Sequence, residues 1–198
     1  MRQGRQRRAD RHAIDPLAEL DDAVAAAPPD DVDELTRLAK LLADRHPHGV
    51  WRARPAPLFA PDTLAGLRAE QARRGDAPIL RTLATAAVVL DAASDAAGRP
   101  LVPSGYAFYD HDPPGPTPPV HIDRPEYPFV LHVVLDHVVP PGVTGSRLVL
   151  YTPNGVEHHA VGIGEGIVLA GRGTVHRWED LAAGEERHLA SIGLRLSD

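Results

Sequence analysis

The sequence predicts a mainly β domain with an N-terminal α layer, and three observations predict it. Residues before Pro100 carry apolar side chains at helical spacing behind cap and stop signals. After Pro100 come eight short β-rich runs separated by Gly or Pro, with no helical stretch between them, which suggests an antiparallel sandwich or barrel. Some of these runs, Phe129–Leu135 above all, are apolar on both alternations, as in a strand covered by helices on one face. A chain of 198 residues, 43% hydrophobic and 24% charged, fits one globular domain with a real core.

Taken in order, residues 1–13 hold five arginines and one Asp, a basic tip expected to be disordered. A single domain over 14–198 is expected to follow, with a helical layer at 14–98 and a β core at 99–198. Asp15-Pro16 reads as a cap and first turn before Leu17, Leu20 and Val24. Asp31 and Glu34 form a capping box ahead of Val32, Leu35, Leu38 and Leu42. Asp62 is expected to cap a third helix carrying Leu64 and Leu67, ended by Gly75. A fourth runs from about Pro78 to Gly98-Arg99-Pro100, where Gly takes the left-handed cap and Pro cannot continue. The predicted strands are Tyr106–His111, Val120–Asp123, Phe129–Val138, Arg147–Thr152, Glu157–Ile163, Gly166–Ala170, Thr174–Trp178 and Arg187–Leu196. The Pro-rich loop Pro113–Pro119 is expected to form a semi-rigid rim.

Composition narrows the chemistry. Eleven histidines and no cysteine exclude disulfides, iron–sulfur clusters, thiol nucleophiles and Cys-ligated zinc, so a metal here must use His, Asp and Glu. The net charge is −6, and because the tip is about +4 the remainder is near −10. An acidic body argues against nucleic-acid binding. The arginines are followed by acidic residues rather than an apolar run, and Thr82–Leu90 is too short to cross a bilayer, so a soluble cytoplasmic protein with no membrane partner is expected.

The informative constellation is His121-Ile122-Asp123 followed by His176. On a strand, residues i and i+2 share a face, roughly 7 Å apart, so both first groups can reach one ion. Two His and one carboxylate with open positions is the facial-triad donor set of non-haem Fe(II) sites. Alternation in the last strand puts Arg187, Leu189, Ser191, Gly193 and Arg195 on an inward face, and His188, Ala190, Ile192, Leu194 and Leu196 toward the helices. A buried arginine needs an anionic partner, which a dicarboxylate could supply in a bidentate fork. The plainer alternative makes His121 and Asp123 a hydrogen-bonded pair and Arg187 an ion-pair partner of Glu185 or Asp180.

Elsewhere, His132 reads as a core histidine or a pocket liner. His158-His159 sit on a poorly alternating run with at least one facing out. His111, between Asp110 and Asp112 beside the Pro-rich loop, could offer ligands but reads first as a solvated turn, and His137 reads as surface. His46 and His48 mark a helix terminus, His12 belongs to the tip, and Trp178 and Phe129 read as core.

The pattern His121-x-Asp123, His176 and, after ten residues, Arg187 resembles the Fe(II)/2-oxoglutarate-dependent oxygenases over roughly residues 104–196. The resemblance implies a double-stranded β-helix (jelly roll) with about four helices packed on the major sheet. It implies His121, Asp123 and His176 as iron ligands and Arg187 as the anchor of the distal carboxylate of 2-oxoglutarate. A tyrosine on the first core strand touches the cosubstrate in such families, which gives Tyr109 ahead of Tyr106, and His132 is expected to line the same pocket. The implied activity is hydroxylation of a small-molecule or amino-acid-like substrate with O2, releasing succinate and CO2. Leu189 stands where many relatives have Ser, so the hydroxyl partner of Arg187 is missing or comes from elsewhere. Gly171-x-Gly173-x-x-His176 also resembles the second cupin motif without its proline. A cupin-type metalloenzyme that uses no 2-oxoglutarate, and a non-catalytic jelly-roll binding module, are therefore the alternatives.

Overall fold

A computed structural model describes residues 17–28, 30–45, 56–73 and 76–197. The basic tip at 1–13, the Asp15-Pro16 cap, His12, His46, His48 and Gly75 lie outside the described residues. Elements run in the order α1 (Ala18–Ala26), α2 (Val32–Arg45), β1 (Ala56–Pro57), α3 (Pro61–Ala72), α4 (Pro78–Ala84), α5 (Ala87–Ala97), β2 (Leu101–Asp112), β3 (Phe129–Val138), β4 (Leu148–Thr152), β5 (Gly155–His159), β6 (Glu165–Leu169), β7 (Val175–Trp178) and β8 (Glu186–Leu196). One antiparallel sheet has the order β1-β6-β3-β8-β2 and a smaller one β5-β4-β7.

The expected helices form, with three corrections, the first being that Asp62 lies inside α3, whose N-cap is Ala60 with no side-chain cap bond. In α2 the capping residue is in place, with the Glu34 N–H donating to Asp31 Oδ1 at 3.0 Å. The single helix expected from Pro78 to Gly98 is two, because Thr85 closes a tight turn and Ala86 adopts an extended backbone. Gly98 then ends α5 in the left-handed conformation (φ 63°), as the Gly-Pro stop requires. The helices also do not share one sheet. Leu67, Leu80, Val89 and Ala93 of α3–α5 pack on Phe129, Leu131, Val133, Ala190 and Ile192 of the large sheet. Leu35, Leu38 and Leu42 of α2, with Leu20 and Val24 of α1, pack instead on Val149, Tyr151 and Val175 of the small sheet.

Between the sheets lies a third apolar layer containing Val130, Val134, Leu148, Leu150, Ile167, Leu169 and Leu189. This explains the doubly apolar run in β3: its odd positions face α3–α5 and its even positions face the smaller sheet. β8 alternates as expected, with Leu189 in the inner layer and Ala190, Ile192 and Leu194 in the outer one.

The expected strand Val120–Asp123 reduces to a single bridge, His121 to His176, with N–H···O distances of 3.0 and 2.9 Å. Pro118, Pro119 and Pro125 around it have no N–H to give a ladder. The rim loop is pinned by a bridge between Gly115 and Leu181 and by the Thr117 hydroxyl donating to the Trp178 carbonyl at 2.7 Å. Among the described residues no helix is long and apolar enough to cross a membrane.

Candidate active site

The bridge between His121 and His176 sets two imidazoles side by side at the open end between the sheets, with ring centroids 4.5 Å apart. Each ring is fixed by its own backbone. His121 Nδ1 donates to the Pro119 carbonyl and His176 Nδ1 to the Thr174 carbonyl, both at 2.8 Å. That tautomer leaves both Nε2 lone pairs free, as metal-ligating histidines need. Asp123 is brought to them by its N–H bonding the Gly171 carbonyl at 3.0 Å, and its Oδ1 stands 3.9 Å from His176 Nε2.

Three ligand atoms, one from each of His121, Asp123 and His176, lie within 4.8 Å of one another. Asp123 Oδ2 is buried with no hydrogen-bond partner, which a cation would supply. Burial pushes the Asp123 carboxyl above its ordinary range, against the pull of His121 and Arg172, and pushes His176 well below the usual imidazole value. The donor set, two imidazoles and a buried carboxylate, fits a divalent ion. The turn Gly171–Gly173 supports the carboxylate: Arg172 donates to the Asp123 carbonyl at 2.9 Å and pairs with Asp21 of α1.

A cavity of about 380 Å³ opens on this group, and Asp112, His132, Tyr127 and Trp178 are among the residues lining it. Behind the wall residues Asp112 and Trp178, Arg187 is fully buried, with its guanidinium 4.0 Å over the Trp178 ring. Trp178 is therefore part of the site rather than plain core. The missing hydroxyl comes from Ser146, which accepts from Arg187 Nη1 at 2.9 Å. The fork itself is engaged by Asp112, whose Oδ2 lies 2.6 Å from Nη2 and 3.2 Å from Nε. Burial pulls the Arg187 pKa down and Asp112 pulls it back. The ion-pair partner is thus neither Glu185 nor Asp180, but a residue the strand prediction stopped one position short of.

His132 does line the cavity. Its Nδ1 meets Ser191 Oγ at 3.0 Å, Ser191 donates on to Asp110 at 3.1 Å, and burial lowers the ring's pKa to about 3. Its Nε2 is buried without a partner.

Tyr109 is not brought to the site. Its cross-strand partner is Ala190, which faces the helices, so Tyr109 faces them too. There its hydroxyl donates to Glu70 at 2.6 Å, and burial followed by Glu70 raises its pKa. The tyrosine in the cavity wall is Tyr127, from the segment before β3, packed on Tyr106 and Phe108 at 5.3 and 6.2 Å between ring centroids. Nothing local in the sequence marks Tyr127. Asp112, by contrast, continues the alternation of Phe108 and Asp110.

His111 and His137 also correct their readings. His111 is a β2 residue bonded to Glu186, not a turn, and His137 is largely buried against Glu185 at 2.7 Å.

No protein-family model matches the chain, and no curated protein matches it. Solved structures do. A prolyl-4-hydroxylase from Pseudomonas putida aligns at TM-score 0.54 and 19% identity, over 81% of this chain and 99% of that one. An oxidoreductase of the 2OG-Fe(II) oxygenase family from Burkholderia pseudomallei aligns at TM-score 0.59 and 16% identity, over 79% and 88%. HygX from Streptomyces hygroscopicus, solved with nickel and 2-oxoglutarate bound, aligns at TM-score 0.57 and 12% identity, over 75% and 83%. At these identities the likeness establishes the fold: the chain has the helix-flanked antiparallel architecture of the 2-oxoglutarate/Fe(II) oxygenase structures.

Proposed function

We propose that this chain is an Fe(II)- and 2-oxoglutarate-dependent oxygenase that hydroxylates a small molecule. The observation that carries the reading is the convergence of two bare Nε2 atoms and the partnerless Asp123 Oδ2 in one cavity whose wall residues Asp112 and Trp178 hold the buried Arg187. His121, Asp123 and His176 hold the iron. Arg187, with Ser146 beside it and Trp178 beneath, takes the distal carboxylate of 2-oxoglutarate. With O2, that pair of cofactors supplies an oxidation that inserts one oxygen atom into a substrate C–H bond and leaves succinate and CO2.

This chain's residues do the positioning. Backbone carbonyls at 119 and 174 hold the imidazoles, Gly171 leaves room for the carboxylate, and the sheets exclude water around Arg187. A cavity of about 380 Å³ is at the small end for ligand sites, which supports a small-molecule substrate. The solved structure of this fold with nickel and 2-oxoglutarate bound supports the cofactor assignment by analogy.

The test is 2-oxoglutarate consumption and succinate release by the Fe(II)-loaded chain in air. Release in the parent and its loss in His121→Ala, Asp123→Ala and His176→Ala is expected. A parent that binds iron and releases no succinate overturns the reading. One observation favours a second: Asp112 already fills the fork of Arg187, as suits a cupin-type metalloenzyme that takes no 2-oxoglutarate.

A further inference from the structure

On the opposite face of the large sheet, the same strand ends bring together His111, Glu186 and His188, each offering one ligand atom within 4.8 Å of the others. His111 and His188 are cross-strand partners, and their rings stack at 4.4 Å and 8°. Glu186 precedes His188 by two residues on the same strand, so both project to one side. Its Oε1 lies 2.5 Å from His111 Nε2 and 3.2 Å from His188 Nε2.

The hydrogen bonds around His188 give this cluster its direction. Gln71 donates its amide to the Asp110 carbonyl at 2.8 Å, which turns its oxygen toward His188 Nδ1 at 3.1 Å. An amide oxygen only accepts, so His188 Nδ1 donates to it and the ring's Nε2 is turned to Glu186 Oε1. The Nε2 atoms of His188 and His111 thus converge on one carboxylate oxygen, the arrangement a divalent ion takes over on displacing the protons between them.

We propose that His111, Glu186 and His188 form a second metal site, for a divalent first-row transition ion such as zinc. Two imidazoles and one carboxylate suit zinc, and three protein ligands leave a position for water or an anion. The two histidines line a cavity of about 700 Å³ shared with Arg68, Glu70 and Tyr109, so an ion can enter and its open position has somewhere to face. Gln71 plays the orienting role of an outer-shell partner. An ion held here ties the end of β2 to the start of β8, one residue from the Asp112–Arg187 pair on the other face.

The test is equilibrium dialysis of the metal-stripped full chain against zinc, with elemental analysis. His111→Ala and His188→Ala are each expected to bind one zinc ion per chain fewer than the parent. Gln71→Leu is expected to keep the ion with about 10- to 100-fold weaker affinity. Because the readout is a difference of one ion, it holds whether or not the His121–Asp123–His176 group takes zinc. Glu186→Gln, which preserves size, is expected to lose the same ion and serves where removing a ring disturbs the sheet. Equal zinc stoichiometry in the parent and all these variants overturns the proposal and leaves a network joined by protons.

Discussion

A β-carbon at position 171 would fall 1.6 Å from Asp123 Oδ2, so this glycine defines the space in which the carboxylate can stand. Gly171→Ala is expected to keep the fold by circular dichroism while lowering Fe(II) affinity about 100-fold in anaerobic titration, since the side chain must leave its place. Unchanged affinity would show that Asp123 is not a ligand. At the other end of the cavity, Asp112 competes with any incoming carboxylate for Arg187. Asp112→Asn is expected to tighten 2-oxoglutarate binding about tenfold, because a neutral amide competes less well for the guanidinium. The same change is expected to lower the stability of the ligand-free chain by roughly 2–4 kcal/mol, read by denaturant unfolding. Looser or equal binding would place the dicarboxylate elsewhere.

These residues were unequally legible. His121, Asp123, His176 and Arg187 announce themselves through i, i+2 spacing and alternation within one strand. Ser146 and Tyr127 reach the site only through loop packing, which no local pattern encodes, whereas Asp112 continues the alternation of Phe108 and Asp110 one residue past the strand's expected end. Tyr109, expected at the cosubstrate, faces the helices instead, because its orientation follows from its pairing with Ala190.

Among the elements, α4 has the least ordinary start. No side chain at its own N-cap serves it, yet the buried Glu70 of α3 accepts from the Ile79 and Leu80 N–H groups at 2.6 and 3.0 Å, as well as from Tyr109. These bonds outweigh the cost of burial and hold the Glu70 pKa below its ordinary value. Glu70→Ala leaves two helix donors and a tyrosine hydroxyl without partners. A loss of roughly 2–4 kcal/mol in urea unfolding is expected, with the inner site's metal affinity unchanged. A loss under about 0.5 kcal/mol would mean that water replaces the carboxylate there. Helix existence was readable from apolar spacing, and the Gly98 stop from its dipeptide. The break at Thr85-Ala86 was not, since both residues tolerate a helix and only packing on the sheet selects the turn. Nor could apolar spacing say which sheet each helix covers: a stripe of Leu35, Leu38 and Leu42 fits either.

For the molecule as a whole, α3–α5, the large sheet, the small sheet and α1–α2 form four layers, and the site sits where the two sheets part. Loops at that end are held by Glu185, which accepts from the Ser146 N–H at 2.6 Å, the Ala182 N–H at 2.9 Å and His137 at 2.7 Å. Burial alone would raise its pKa, but these bonds lower it from 4.5 to about 2. A depressed carboxyl contributes stability that is complete above about pH 4.5 and is lost as pH falls toward about 2, worth roughly 2–3 kcal/mol. Glu185→Gln is therefore expected to be less stable at neutral pH and to show a flatter acid limb between about pH 5 and 2 in pH-dependent unfolding. A parallel acid limb in variant and parent would remove Glu185 from the account.

The central claim, that the inner cavity holds iron and 2-oxoglutarate together, meets its most direct test in anaerobic titration of the Fe(II)-loaded chain with 2-oxoglutarate. A visible metal-to-ligand charge-transfer band that saturates in the parent and is lost in His176→Ala and Arg187→Ala is the predicted result. Bound iron with no band at any 2-oxoglutarate concentration, or a band that survives Arg187→Ala undiminished in affinity, would contradict it.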